Sequence, residues 1–327
     1  MIKTLDASFI IVNYNGKKYL KRLINSINNQ TNSSHETIIV DNDSTDKSFE
    51  YINKYFPKII LIKSPNIGYG RGCNLGAKYA KGKFLIFLNP DIYCPRTYLN
   101  EFLRFYQTSS KQFSEPIGCL GSPSIGFNAD LKIIPPANGG IIDIFGTPRE
   151  SPSPSRVIDT FFSIGTGIFI KRDIFNKVKG FNPNIFLYGE EIDLCWRLKT
   201  QGYRHLIDNQ NYIFHLGGGS MQGNNRPRQI ALMTYGCFIS AIENYQNLSL
   251  IVILPLYLIY IMLTIICLPI IKNFKLGYSL EMIKIYSEIF KDLKNILDFR
   301  EFVQKNRTVS DFQLLKYISI VPSVFLH

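Results

Sequence analysis

Short apolar runs alternate with amphipathic stretches along the first third of the chain, and each run ends in polar or acidic residues. Ser8 to Val12, Thr37 to Val40, Lys58 to Lys63 and Phe84 to Leu88 are too short for helices and apolar enough to be buried on both faces, which predicts strands of a parallel sheet. Between them, Tyr19, Leu20, Leu23, Ile24 and Ile27 recur at helical spacing, as do Phe49, Ile52 and Tyr55, the second helix with Ser44 or Thr45 as its expected cap. Strand and helix alternating at this spacing predict an α/β fold with a doubly wound, mostly parallel sheet. Ser163 to Lys171 and Tyr212 to Phe214 read as later strands, with a helix over Arg172 to Val178. The stretch from Cys94 to Phe162 has no clear period, and its segment Thr147 to Ser155 (TPRESPSPS) predicts a mobile surface loop or linker.

The C-terminal part has a different pattern. Leu248 to Ile271 contains no charged residue, and as a helix it would measure about 36 Å, enough to cross a bilayer core. Spanning, re-entrant and interfacial placements are all open, as is a soluble dimer or core helix. Beyond it, Leu280, Ile283, Tyr286, Phe290, Leu293 and Leu297 form one stripe, with Lys284, Lys291 and Lys294 elsewhere; this suits a helix on an anionic membrane or one packed on the enzyme domain. The expected division is residues 1–235 and a membrane-associating helical region, 236–327.

Composition adds a constraint. The 327 residues are 46% hydrophobic and carry a net charge of +12 with pI near 9.3, so anionic partners are favoured: nucleic acid, acidic lipid or sugar nucleotide. Six scattered cysteines without a Cys-x-x-Cys pair or zinc spacing predict reduced thiols in a cytosolic compartment. The apolar run at the N-terminus, interrupted by Asp6, is too short for a secretory signal.

Candidate chemistry gathers at the strand ends. Asn89-Pro90-Asp91 puts a carboxylate at the C-terminal edge of the sheet, where ligands bind and a divalent cation can be held; a simple turn is the alternative. Asp41 to Asp46 places further acids after the second strand. The glycine-rich entry from Ser64 to Gly76 would bring backbone N–H groups to a phosphate with Arg71 as counter-charge. Read instead as a dinucleotide fingerprint for an oxidoreductase, that entry has the wrong glycine spacing, lies on the wrong strand and leaves Asp41, Asp43 and Asp46 without a role. Glu190, Glu191 and Asp193 start a helix whose dipole favours acids, yet two adjacent glutamates under Phe186, Leu187 and Trp196 also suit a general base with a raised pKa. Trp196 itself reads as core. His215 before Gly217-Gly218-Gly219 is either a structural histidine or a metal or diphosphate contact.

In order, VNYNG, VDNDSTD, NIGYGRGCNLG, FLNPD, GTGIFIKRDIFNKVKGF, FLYGEEIDLCWR and HLGGGS resemble the family 2 glycosyltransferases of GT-A fold, most closely the bacterial rhamnosyltransferase type, over about Ser8 to Ser220. The resemblance implies inverting transfer of a sugar from a nucleotide diphosphate to an acceptor hydroxyl, with Mg²⁺ or Mn²⁺ bound, and a glycan or lipid-linked acceptor rather than nucleic acid. It implies that Asp41 reads the base with Tyr14 and Asn15 beside it, and that Asn42, Asn66, Gly68, Asn74 and Asn89 shape the donor pocket. Asp91 and His215 would hold the metal, and Glu191, Glu190 and Asp193 would form the catalytic cluster. The sequence departs from the family pattern at Asn89, at Glu191 where an Asp is usual, and at Asn182 where an Asp commonly follows Gly-Phe. A scaffold that binds a sugar nucleotide without turnover is the alternative from another class.

Overall fold

The structure is a computed structural model that describes residues 5–127, 133–137, 139–151, 153, 155–163, 167–215, 226–271 and 277–321. Its first strands are β1 (Ala7–Asn13), β2 (His35–Asn42), β3 (Ile60–Ser64) and β4 (Phe84–Leu88), followed by β5 (Ile92–Tyr93), β6 (Ile117–Gly121), β7 (Ser124–Phe127) and β8 (Ile133–Ala137). Then come β9 (Gly139–Asp143), β10 (Pro148–Glu150), β11 (Val157–Asp159), β12 (Phe162–Ser163), β13 (Gly167–Lys171), β14 (Arg204–Asp208), β15 (Ile213–His215) and β16 (Ile318–Ser319). The helices are α1 (Lys17–Asn28), α2 (Ser48–Tyr55), α3 (Tyr69–Tyr79), α4 (Tyr98–Gln112), α5 (Arg172–Lys177), α6 (Glu190–Thr200), α7 (Arg226–Asn244), α8 (Asn247–Ile271), α9 (Gly277–Lys305) and α10 (Asp311–Leu314).

Eight strands form the central sheet in the order β11-β14-β6-β13-β4-β1-β2-β3. Strands β4, β1, β2 and β3 are mutually parallel; β13 runs antiparallel to β4 and β6, and β14 is again parallel to β6. The fold is therefore mixed α/β with a mostly parallel sheet, as the alternation predicts. Strand pleating divides the core. Ile10, Val12, Ile38, Leu85 and Phe87 face α3, α5, α6 and α7, and Phe9, Ile11, Ile39, Ile86 and Leu88 face α1 and α4. Trp196 is fully buried in the first of these cores.

Parallel register aligns the strand ends. Asn13 lies opposite Asp41 and Asn42 opposite Ser64, while Leu88 pairs with Ile11 just short of the same edge. Two small sheets flank this edge: β10-β9-β12 with β16 on β9, and β5-β15-β7-β8.

Several local expectations change. Pro148–Glu150, inside the expected loop, is a strand, because Gly140 lacks the Cβ that would collide with the Arg149 carbonyl and so admits the neighbouring backbone. Neither Ser44 nor Thr45 caps α2, which starts at Ser48; the Asp46 carboxylate takes the Ser48 N–H at 3.0 Å instead. The expected division after residue 235 falls inside α7, which continues unbroken to Asn244, and β16 returns from the C-terminal part to pair with β9. Among the described residues five cysteines are free thiols, and Cys119 and Cys195 sit 3.8 Å apart in the interior with His205.

Candidate active site

The side of the edge formed by β1 and β2 is built from side chains that hold one another. Asn13 Nδ2 donates to Asp41 Oδ2 at 3.0 Å and to the hydroxyls of Ser44 and Ser48. Asp41 is 1% exposed, and its other oxygen accepts the Ser44 N–H at 3.0 Å. Its carboxylate thus braces the turn after β2. Asn15 adopts a left-handed backbone (φ 53°), a conformation asparagine tolerates, and its side-chain oxygen takes the Thr45 N–H at 2.7 Å. Between them Tyr14 is 55% exposed, its ring free to stack on a base.

The next turn follows the same logic. Asn42 Nδ2 donates to Asn66 Oδ1 (3.1 Å) and to the Gly68 carbonyl (3.3 Å), and its oxygen takes the Ile67 N–H at 3.1 Å. Gly68 has φ 87°, and a Cβ there would collide with the Phe186 carbonyl, which accepts the Tyr69 N–H at 3.1 Å. Asn74 grips Phe181 through both backbone groups, at 2.8 Å each, so it acts on the rim through the segment that leads to Glu190. The remaining glycines correct the phosphate-cradle expectation. A Cβ on Gly72 would sit 2.9 Å from Val12 and one on Gly76 2.6 Å from Ile10, so these glycines serve close packing of α3 on the sheet. Arg71, expected as a phosphate counter-charge, donates through Nε to the Pro183 carbonyl at 2.6 Å.

The metal candidates meet. His215 on β15 lies opposite Ile92 on β5, which brings His215 Nε2 to 3.0 Å from Asp91 Oδ2, with both side chains partly open to solvent. Carboxylate oxygen and imidazole nitrogen form a donor set suited to Mn²⁺, and the carboxylate to Mg²⁺. Asn89 is half-buried beside them, its carbonyl accepting the Ile92 N–H at 3.4 Å. Pro90 packs where a Cβ on Gly16 would meet it at 3.1 Å, joining this corner to the turn after β1. The glycines after His215 lie outside the described residues.

At the start of α6 the two glutamates part. Glu190 is buried, and among the described residues its Oε2 has no hydrogen-bond partner. Burial, reinforced by the Glu191 charge, holds it well above the usual carboxylate range. Glu191 is only partly covered, and burial pushes it up to about 7. Asp193 stands apart from that pair, which corrects its place in the expected cluster. Its carboxylate is fully buried, 2.7 Å from Arg197, and its other oxygen takes the Asn244 amide at 3.1 Å. Both oxygens are engaged in anchoring α6.

A residue that the strand-and-motif reading passes over completes the rim. Glu243 on α7 is buried and accepts the amides of Asn182 and of Asn184, the latter at 2.9 Å. Burial, with the Asp193 charge adding, raises its pKa. Asn182, the departure noted after Gly-Phe, is thus the donor that fixes the segment before Glu190. An acid in the apolar stretch Ala231–Asn244 was the available signal. Hydrogen bonds join Asn13 to Asp41 and Asn42 to Gly68, and the Tyr69 N–H next to Gly68 reaches the carbonyl of Phe186, four residues before Glu190.

Comparison with known proteins fits this edge. The family model for glycosyl transferase family 2 matches residues 8–179. The rhamnosyltransferase WbbL of Escherichia coli K12 is 26% identical over 210 residues, covering 60% of this chain and 77% of that protein. The minor teichoic acid biosynthesis protein GgaB of Bacillus subtilis is 26% identical over 275 residues, 79% of this chain but only 28% of its own length. The crystal structure of Staphylococcus aureus TarS 1-349 in complex with UDP superposes with TM-score 0.52 at 18% identity, over 78% of this chain and 71% of that one. That of GalNAc-T7 with UDP, GalNAc and Mn²⁺ gives TM-score 0.60 at 18% identity, over 76% and 49%. These structural likenesses speak to the fold, and the family model covers more than half of the chain. The chain belongs to glycosyl transferase family 2.

Proposed function

We propose that the protein is an inverting glycosyltransferase that moves a sugar from a nucleotide diphosphate to a hydroxyl of a glycan or lipid-linked acceptor at the cytoplasmic face of the cell membrane, in cell-surface glycan assembly. The carrying observation is Glu191 at the start of α6, the less buried of two adjacent glutamates, with its pKa raised to about 7, in a chain whose Asp91 and His215 meet at 3.0 Å. A carboxyl tuned to that range is half ionised near neutrality and can take the proton of an attacking hydroxyl. Direct displacement at the anomeric carbon inverts its configuration and requires no enzyme nucleophile. Tyr14 offers a stacking face for the base, and the turns braced by Asp41, Asn42 and Asn66 fix the floor beneath the nucleotide. Asp91 and His215 would hold the divalent cation, Mg²⁺ or Mn²⁺, which when bound neutralises charge on the departing diphosphate. Rhamnose as the sugar rests on the likeness to the rhamnosyltransferase WbbL, and cell-surface glycan assembly on that to WbbL and to the teichoic acid biosynthesis protein GgaB.

Membrane placement is supported by α8, whose window Asn247–Ile266 has mean hydropathy 2.6 and whose outer residues are exposed. The test is sugar transfer, or donor hydrolysis, by purified protein across a panel of nucleotide sugars with and without EDTA. Turnover with one donor that EDTA abolishes and Mn²⁺ restores is the expected result. Tight donor binding with no product under any condition would favour a non-catalytic scaffold.

A further inference from the structure

We propose that α8 lies in the plane of one membrane leaflet, with one face on the protein and the other in lipid, rather than crossing the bilayer. The inference rests on the membrane reading above and decides among the placements an uncharged segment allows. Along α8, Leu254, Tyr257, Tyr260, Ile261 and Thr264 are turned inward, while Leu248, Ile251, Ile259, Met262 and Ile266 are exposed. At about 100° per residue the two sets cluster on opposite sides of one helix.

The inner side is seated on the catalytic domain. Tyr260 stacks on Phe145 at 4.6 Å between ring centroids, and Tyr257 contacts Phe145 at 4.9 Å and Phe238 at 4.8 Å. These tyrosines are mid-helix, where a spanning segment would reach the bilayer centre. Phe145 immediately follows β9, in a turn that Asp143 braces by accepting the N–H groups of Phe145 and Thr147 at 2.9 Å each. A crossing α8 would drag that turn, the short strands β9 and β10 and Arg149 into hydrocarbon, where open sheet edges and charges are strongly disfavoured. An in-plane α8 requires none of this: its outer half enters the leaflet while its inner half stays on protein.

The outer face itself points to lipid as its occupant: Asn247–Ile266 carries no charge and has mean hydropathy 2.6, and exposed Leu280, Ile283, Phe290 and Leu297 on α9 add further apolar surface, while Lys291 is paired with Glu288 at 2.8 Å.

The experiment uses the full chain with phosphatidylglycerol and phosphatidylethanolamine vesicles. Nitroxide labels are placed by Ile251→Cys, Ile259→Cys and Ile266→Cys, and immersion depth is measured by electron paramagnetic resonance after flotation. The expected result is flotation with all three labels at one shallow depth. A depth that changes steadily from the first label to the last, over a range comparable with the ~30 Å hydrocarbon core, would overturn the proposal and leave membrane binding intact. No flotation, with a dimer by sedimentation in vesicle-free buffer, would overturn the membrane reading itself and assign the face to a second copy. In a second variant, Ile251→Lys with Met262→Lys, vesicle partition should fall by at least about tenfold while the melting temperature and transfer to a water-soluble acceptor stay unchanged. Undiminished partition of that variant would also count against it.

Discussion

The two halves of the central sheet treat polar groups in opposite ways. In the parallel half, the polar residues that end β1 and β2 are closed into mutual hydrogen bonds: Asn13 with Asp41, Ser44 and Ser48, and Asn42 with Asn66 and Gly68. In the other half, α6 presents Glu190 and Glu191, and burial raises both. The ion pair of Asp193 with Arg197, one turn on, is set inside the helix packing. One half is braced by mutual hydrogen bonds, and the other holds the carboxyl pair proposed above as the acid–base centre. Position is fixed by satisfied hydrogen bonds, whereas the raised pKa of the carboxyl pair is set by burial.

Changes at the carboxyl pair should be felt most in rate. Glu191→Gln keeps the shape and removes the base, so transfer should fall by roughly 10²- to 10⁴-fold with little change in donor affinity, measured as kcat against KM. If Glu190→Gln falls as far and Glu191→Gln does not, the assignment within the pair is reversed. Breaking the anchor comes next. Asp193→Ala strands the buried Arg197 guanidinium, and chemical denaturation should show a loss of about 3–5 kcal/mol in stability. In the floor, Gly76→Ala pushes a methyl group against Ile10 and should cost about 1–3 kcal/mol by the same measurement. The smallest expected effect is that of Tyr14→Ala, which removes an exposed stacking face and should raise KM for the donor by roughly five- to tenfold, a stacking loss of about 1 kcal/mol, without altering stability. A Tyr14→Ala protein that melts early would show that the floor depends on the ring.

The contrast also explains what could be read from the chain. Strands β1, β2 and β4 are nearly continuous apolar runs because they are covered on both faces, whereas the edge strand β3 is only partly covered, and the polar residues at their C-terminal ends mark the edge without further help. The fold family followed from motif order. The meeting of Asp91 with His215 depends on β5 pairing with β15, two strands of 2 and 3 residues that leave no period in the sequence. For the same reason Pro148–Glu150 resembled a loop: its pairing is decided by Gly140, a residue of another strand. Glycines at Gly72 and Gly76 suggested phosphate binding, but the sheet beneath α3 claims them. Asp193 could not be separated from Glu190 and Glu191 by spacing alone, since all three favour a helix start; its distinct role comes from Arg197 one turn on and Asn244 on α7. Glu243 stayed hidden because its partners Asn182 and Asn184 are distant in the chain.

The pH dependence of sugar transfer tests the centre of this account most directly. Glu191 must be ionised to accept the hydroxyl proton, and burial sets its pKa at about 7, so kcat should climb as pH rises through 7 and lose activity tenfold per unit well below it. In Glu191→Gln that acid limb should vanish along with most of the rate. A wild-type rate that stays flat from about pH 5 to 8, or a Glu191→Gln enzyme that keeps both the rate and the limb, would contradict the assignment of Glu191 as the base.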